Sequence, residues 1–401
     1  MNTELLYNIS AYTREFTATV ISSVQAKING RDCYDIVLDR TAFFPEQGGQ
    51  DCDSGIIVRS SDDVFDEASS KKNENILHVS IKDGVIHHFC TDNIESGFQV
   101  FCRINWEQRF DRMQQHSGEH LVSGTVHRFF GADNVGFHLS GREVTLDFNT
   151  VFEEKDLDLI EDTVNRAIFE NIETIISFPA PDELEKIDYR SKKELTGQVR
   201  IVEYPGYDIC ACCAPHVERT GEIGCIRIAA AEHFKGGTRM WIECGQRALL
   251  SARTLLRDAR SISRITSAKL SDIVTAVNKL NEDLKSTRFE LVRQERIILA
   301  GKAGELAGKT NPILITENAD PDNIRPILNE LAEKTEGYCT ALTGNDEKGY
   351  RFITTSKNRD CRELLNGFKA SLTVKGGGNA EMIQGTIVAA AGQIEEIING
   401  I

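Results

Sequence analysis

Short alternating runs of apolar and polar residues dominate the first hundred positions. Residues 18–24, 33–38, 55–58, 76–79 and 85–89 are β-branched or alternating, with Asn-Gly, Asp-Gly and Ser/Asp-rich breaks between them, and they predict strands. Lys27-Ile28-Asn29-Gly30 is a hairpin turn signal. The polar stretch 60–75 reads as a mobile loop. Strands this short predict a small β-barrel over 1–100.

The period then changes. Residues 109–130 and 155–171 read as helices, and 144–148, 172–178, 199–204, 223–229 and 238–244 as strands, so 101–245 is an α+β segment. None of the eight prolines falls between Pro215 and Pro312. Within that interval Leu270, Ile273, Val277, Leu280, Leu284 and Leu291 follow the 3,4 spacing of a coiled-coil seam. Thr287 interrupts it, and upstream the phase slips, since Ser263 and Thr266 fall on the seam. Residues 246–310 therefore predict a long helix or helical hairpin that offers a surface to a second copy of the chain. A C-terminal α/β domain follows over 311–401, with strands at 313–316, 338–343 and 350–355 and helices at 324–334 and 362–369. There is no internal repeat.

Composition narrows the class. The 401 residues carry 46 Lys+Arg against 61 Asp+Glu, a net charge of −15, with 40% hydrophobic and 27% charged residues, as in ordinary globular proteins. No apolar run approaches the ~20 residues of a membrane span. Residues 1–16 lack a basic region followed by an apolar one, which speaks against a secretory leader. Eleven cysteines cannot all pair, and most stand singly, so reduced thiols and a cytoplasmic protein are expected. The acidic total argues against a protein that coats nucleic acid. Residues 246–310, however, hold 13 Lys+Arg and seven Asp+Glu, which allows a local contact with a polyanion or simply a solvated helix.

The candidate chemistry lies in two pairs. His116 and His120, in Gln-Gln-His-Ser-Gly-Glu-His, sit at i and i+4, so a helix presents both imidazoles on one face. Cys212 and His216 have the same separation, but Pro215 between them predicts a loop or tight turn. Two or three nitrogens and a thiolate suit tetrahedral Zn²⁺. Cys213 is open to two readings, a substitute ligand or a buried thiol. Ser117 stands where a metalloprotease motif has its glutamate. Glu119 either orients water or is an exposed helix residue. His87 and His88 alternate on a strand and read as core and surface filling.

In order along the chain, Leu38-Asp39-Arg40-Thr41-Ala42-Phe43-Phe44-Pro45-Glu46-Gln47-Gly48-Gly49-Gln50, the His116/His120 pair, Cys212 and His216 with Val217-Glu218-Arg219-Thr220-Gly221-Glu222-Ile223-Gly224, and Lys235-Gly236-Gly237-Thr238-Arg239 resemble the editing domain of alanyl-tRNA synthetase. Without an aminoacylation domain, the chain resembles the freestanding alanyl-tRNA editing proteins in their long form, with a glycine-rich C-terminal domain. The resemblance implies an enzyme that hydrolyses the ester of alanine tRNA mischarged with serine, or with glycine. It also implies a zinc on His116, His120, Cys212 and His216, and Thr41 as reader of the serine hydroxyl. The family's Cys-Gly-Gly-Thr-His is here Cys212-Cys213-Ala214-Pro215-His216.

Gly48 and Gly49 permit a φ > 0 turn or close approach to a ligand, and Gln47 and Gln50 can bind the ribose or the carbonyl. Arg247, Arg253, Arg257, Arg260 and Arg264 recur along the basic helix and can meet phosphates. Lys375 beside Gly376, Gly377 and Gly378 offers a charge and backbone amides, as a phosphate cradle or a flexible loop. Two rival functions stay open: a non-catalytic, zinc-stabilised tRNA-binding or dimerisation module, and a hydrolase for another mischarged tRNA.

Overall fold

The computed structural model describes residues 3–60, 74–141, 143–191 and 198–401, so most of the loop expected at 60–75 lies outside the described residues. The chain divides into two compact units, Met1–Asp258 and Ala259–Ile401. The segments expected as 1–100 and 101–245 both belong to the first.

In that unit Gly55–Arg59, Gln99–Ile104, Glu15–Ile28, Arg31–Leu38, Val85–Cys90 and Ile76–Lys82 form one antiparallel sheet in that order. Glu15–Ile28 serves two partners, its first part pairing with Gln99–Ile104 and its second with Arg31–Leu38, with a register shift between Val20 and Ser22. An irregularity of that kind bends a strand and tightens its twist. The result is a curled half-barrel rather than a closed one, because the outer strands Gly55–Arg59 and Ile76–Lys82 do not pair with each other. The hairpin turn at Asn29-Gly30 takes φ of 49° and 79°, as the sequence signal demands. Ile36, Leu38, Phe43, Ile57, Val79, Ile86 and Val100 fill the concave side.

The helix Trp106–Phe130 forms the centre of the unit. The Asn105 side chain caps it by accepting from Gln108 N, and Gly131 ends it in the left-handed conformation at φ 60°. A four-stranded antiparallel sheet packs against it, in the order Ile226–Phe234, Gly237–Cys244, Val144–Phe148, Asn134–Leu139. Gly118 permits this approach, since a Cβ there would meet Cys244 Sγ at 2.3 Å. A three-stranded sheet, Ile175–Ser177, Ile201–Tyr204 and Asp208–Ala211, completes the surroundings of the helix.

The basic segment forms a helix at Gly245–Thr266, a break with Ser267 at φ 53°, one 3₁₀ turn at Leu270–Asp272 and a helix at Ile273–Gly304. The C-terminal sheet runs Ile313–Thr316, Cys339–Asn345, Gly349–Thr355, Met382–Val388, Thr373–Gly378, with its first pair parallel and the others antiparallel. Apolar clusters around Leu299, Leu328 and Leu331, and around Leu364, Phe368 and Ile394, give it two separate cores. The glycine run is part of this sheet. Lys375 to Gly378 lie on its edge strand, not in a flexible loop, and a Cβ at Gly376 or Gly378 would strike the backbone of the adjoining strand. Those glycines are needed for close strand pairing. Among the described residues no helix is long and apolar enough to cross a membrane.

Candidate metal centre

The central helix delivers His116 and His120 one turn apart, both buried, and the segment after Asp208–Ala211 brings back Cys212 and His216. One potential ligand atom from each of these four residues lies within 4.8 Å of the others. His216 Nε2 is 3.3 Å and His116 Nε2 3.5 Å from Cys212 Sγ. This is the metal-capable group the two spaced pairs suggest. The loop that carries the thiol is held by Arg200, which donates to the carbonyls of Cys212 at 2.7 Å and Ala214 at 2.9 Å. Ala214 N in turn donates to Cys212 Sγ at 3.5 Å.

Each imidazole is fixed from behind. His116 Nδ1 is 2.7 Å from Gln50 Oε1, and His120 Nδ1 is 2.9 Å from an Asp208 carboxylate oxygen. His216 Nδ1 lies 3.1 Å from Ser117 Oγ and 3.3 Å from the Tyr204 hydroxyl. A ring that donates through Nδ1 keeps a lone pair on Nε2, the form a metal ion requires. Arg190 grips Asp208 through two hydrogen bonds, at 2.7 and 2.9 Å, so the chain of support runs from guanidinium to carboxylate to imidazole. Burial, reinforced by the neighbouring His120 and His116, holds the His216 pKa well below the usual histidine range. Burial also opposes charge on His120, but Cys210, the Asp208 hydrogen bond and Glu119 together outweigh it and raise its pKa.

The Gln47-Gly48-Gly49-Gln50 motif forms a tight turn next to this group. Gln47 and Gln50 exchange backbone hydrogen bonds at 3.1 and 3.2 Å, and both glycines take positive φ, 66° and 86°. A Cβ on Gly49 would strike the Phe137 carbonyl at 2.5 Å. Glu46 to Gly49 are exposed, whereas Gln50 is buried, and its amide Nε2 has no hydrogen-bond partner. Cys213 stands outside the four-ligand group, beside the apolar cluster of Tyr7, Phe44 and Ala214.

Along its length the sequence has counterparts. The family model described as tRNA synthetases class II (A) matches residues 2–108, and the threonyl and alanyl tRNA synthetase second additional domain matches residues 199–239. At 26% identity, 98% of the chain aligns with 97% of the alanyl-tRNA editing protein AlaX-L of Pyrococcus horikoshii. The chain is a homologue of the alanyl-tRNA editing proteins. It is also 27% identical to Aarsd1 of Rattus norvegicus, an alanyl-tRNA editing protein, over 94% of this chain and 92% of that one. At 28% identity, 94% of it matches 40% of the alanine–tRNA ligase of Ignicoccus hospitalis. Cys212 and His216 both fall within the second family match.

Other residues singled out in the sequence are not among the four of the metal group. Thr41 is fully buried in the N-terminal sheet region, where its Oγ1 is 2.9 Å from His88 Nε2 and accepts from Phe43 N at 3.1 Å. His88 Nδ1 donates to the Ile36 carbonyl at 3.0 Å, so Nε2 accepts and the Thr41 hydroxyl donates to it. His87 pairs with Asp35 at 2.9 Å. Arg247 is not a phosphate contact, because it is held by Asp111 and donates to the Ser140 carbonyl at 3.0 Å. Arg253 and Arg257 are exposed on Gly245–Thr266. Glu119 is buried, contrary to its exposed reading.

The sequence reading missed Asp208, Arg190, Arg200 and the role of Ser117. Of these only Asp208 carried a usable signal, as a carboxylate four residues before Cys212.

Proposed function

We propose that the chain is a zinc-dependent aminoacyl-tRNA hydrolase acting in trans on alanine tRNA mischarged with serine, with the glycine ester as a second substrate. The observation that carries this reading is the convergence of three imidazole Nε2 atoms and one thiol, each ring held through Nδ1. Zinc bonds of ~2.0 Å to nitrogen and ~2.3 Å to sulfur put tetrahedral N and S ligands about 3.5 Å apart, close to the 3.5 and 3.3 Å that separate His116 and His216 Nε2 from Cys212 Sγ. His116, His120, Cys212 and His216 would hold the ion. When bound it supplies positive charge where an ester oxygen gains negative charge.

The protein's own groups do the rest. The buried amide of Gln50 has a donor to spare for an oxygen of the aminoacyl end, and the Gln47–Gln50 turn forms an exposed rim beside it. Discrimination needs a polar reader, because an alanine pocket cannot strongly reject a side chain that only adds a hydroxyl. The assignment of that role to Thr41 comes from the family resemblance. With its hydrogen given to His88, Thr41 can only accept, and a serine hydroxyl can donate to it where an alanine methyl cannot. Arg253, Arg257 and Lys375 are proposed to meet tRNA phosphates.

Incubation with serylated and alanylated alanine tRNA tests the reading. Faster loss of the seryl ester, abolished by His116→Ala, is expected; loss of both at the uncatalysed rate would remove the function. A second reading is favoured by the ligand count, since four protein ligands close a zinc site and closed sites are structural. Stoichiometric zinc and tight tRNA binding without ester cleavage would establish that rival.

A further inference from the structure

A cavity of about 300 Å³ opens where the strands Ile226–Phe234, Gly237–Cys244 and Val144–Phe148 meet the start of the helix Gly245–Thr266, and no residue of the metal group lines it. Ligand pockets run from ~300 to 1,000 Å³, so this one suits a small molecule. Two of its lining residues carry opposite charges. Among the described residues each keeps one buried atom without a hydrogen-bond partner, Arg247 Nη1 and Glu243 Oε2. Buried polar atoms are nearly always satisfied, by protein, water or ligand. Arg247 is clamped along its other edge: Nε donates to Asp111 at 2.9 Å, and Nη2 donates to Asp111 at 2.5 Å and to the Ser140 carbonyl at 3.0 Å. Its Nη1 is thus a donor held in place. Glu243 stands opposite Arg227 across the strands, yet Oε2 accepts nothing from that guanidinium. A register shift sets Ala230, not Ala229, opposite Trp241, and both alanines line the cavity; bulges of this kind recur beside active sites. The Trp241 indole is anchored by donating to Glu143 Oε2 at 3.2 Å. Glu143 and Glu232 add negative charge on the exposed rim.

We propose that this cavity binds a free α-amino acid with a small side chain, its carboxylate accepting from Arg247 Nη1 and its ammonium donating to Glu243 Oε2. A lone anion would satisfy the guanidinium but face three carboxylates, and a lone amine would leave the guanidinium unmatched. A zwitterion answers both. The two alanines and the Trp241 ring leave space for a methyl or hydroxymethyl side chain. Cleavage of an aminoacyl ester releases a ligand of this kind, but the site does not depend on that chemistry.

Saturation-transfer NMR titration of the full chain tests the site, with L-alanine and L-serine as probes and propionate and ethylamine as their single-charge counterparts. At least one of the two amino acids should bind saturably with a Kd below about 10 mM, and propionate and ethylamine should bind at least about tenfold more weakly. Glu243→Gln keeps the size and removes the anion, so it should weaken the amino acid about tenfold or more while the thermal midpoint stays near the parent's. Ala230→Phe fills the cavity and should abolish binding, and it decides the matter if the glutamine variant does not fold. His116→Ala should bind the amino acid as the parent does. Absence of saturable binding to the parent up to about 50 mM overturns the assignment, as does equal binding of propionate or ethylamine. Binding that survives both cavity variants overturns it too, and loss of binding in His116→Ala would move the ligand to the metal group.

Discussion

At the scale of single residues, the structure separates histidines that the sequence presents alike. His88 is buried without a carboxylate, and desolvation pushes its pKa down to about 4. The unfolded chain binds a proton there near pH 6.5, while the folded chain resists it until about pH 4. Stability is therefore unaffected above pH 7 and falls as the pH drops from 6.5 to 4, by up to about 3 kcal/mol from this group. His88→Gln keeps an acceptor for Thr41 and should flatten that part of the stability profile in urea unfolding. A difference between parent and variant that stays constant from pH 7 to 4.5 would clear His88 of the effect. The same Thr41–His88 bond complicates Thr41→Val, which strands a buried acceptor at about 1–3 kcal/mol; Thr41→Ser keeps the bond. His120 has the opposite environment. Asp208→Asn leaves Arg190 without its anion and weakens the hold on the ring, so zinc affinity should fall roughly 10- to 100-fold in chelator competition. An unchanged affinity would show that the Arg190–Asp208 pair serves only the fold.

Among elements, the readable ones were those with a strong period or decisive turn chemistry. The central helix, the Asn29-Gly30 hairpin and the Val144–Phe148 strand stand where their patterns put them. The phase slip near Ser263 and Thr266 marked a real break, at Ser267. Gln99–Ile104 and Asp208–Ala211 were missed, because a strand of four to six residues repeats too few times to show its period and is defined by its neighbours. The glycine run misled for a related reason. Glycine signals backbone freedom, but here it serves close approach in an edge hairpin over Phe352. The two spaced pairs marked the metal-capable group, whereas the contacts of Gln50, Ser117 and Asp208 behind it are tertiary and no local pattern records them. The seam is a further test of pattern reading. Leu270, Val277, Leu280, Leu284 and Leu291 are 43–69% exposed in the single chain. If a second copy covers them, through this segment and the C-terminal domain, the parent should sediment as a dimer. Leu280→Glu with Leu284→Glu should then give a monomer whose metal content matches the parent's; a monomeric parent would dismiss the pairing.

For the whole molecule, a net charge of −15 makes any tRNA contact a local matter. Long-range attraction is unfavourable, so binding must come from cations close to phosphates, where neighbouring acids do not cancel them. Gly245–Thr266 gathers more cations than the glycine run. It carries Arg253, Arg257, Arg260 and Arg264 with Asp258 as its single acid, whereas Lys375 stands alone on its strand. Phosphate contacts release counterions, so each one steepens the fall of affinity with salt. Reversing charge at Arg253 and Arg257 should weaken tRNA(Ala) binding and reduce the slope of log affinity against log salt by roughly two. Hydrolysis of a short seryl ester carrying only the terminal nucleotide should be unchanged, because neither arginine belongs to the metal group. An unaltered salt slope would move the tRNA contact off this helix, and an equal loss on the short ester would mean that the substitutions disturb the site itself.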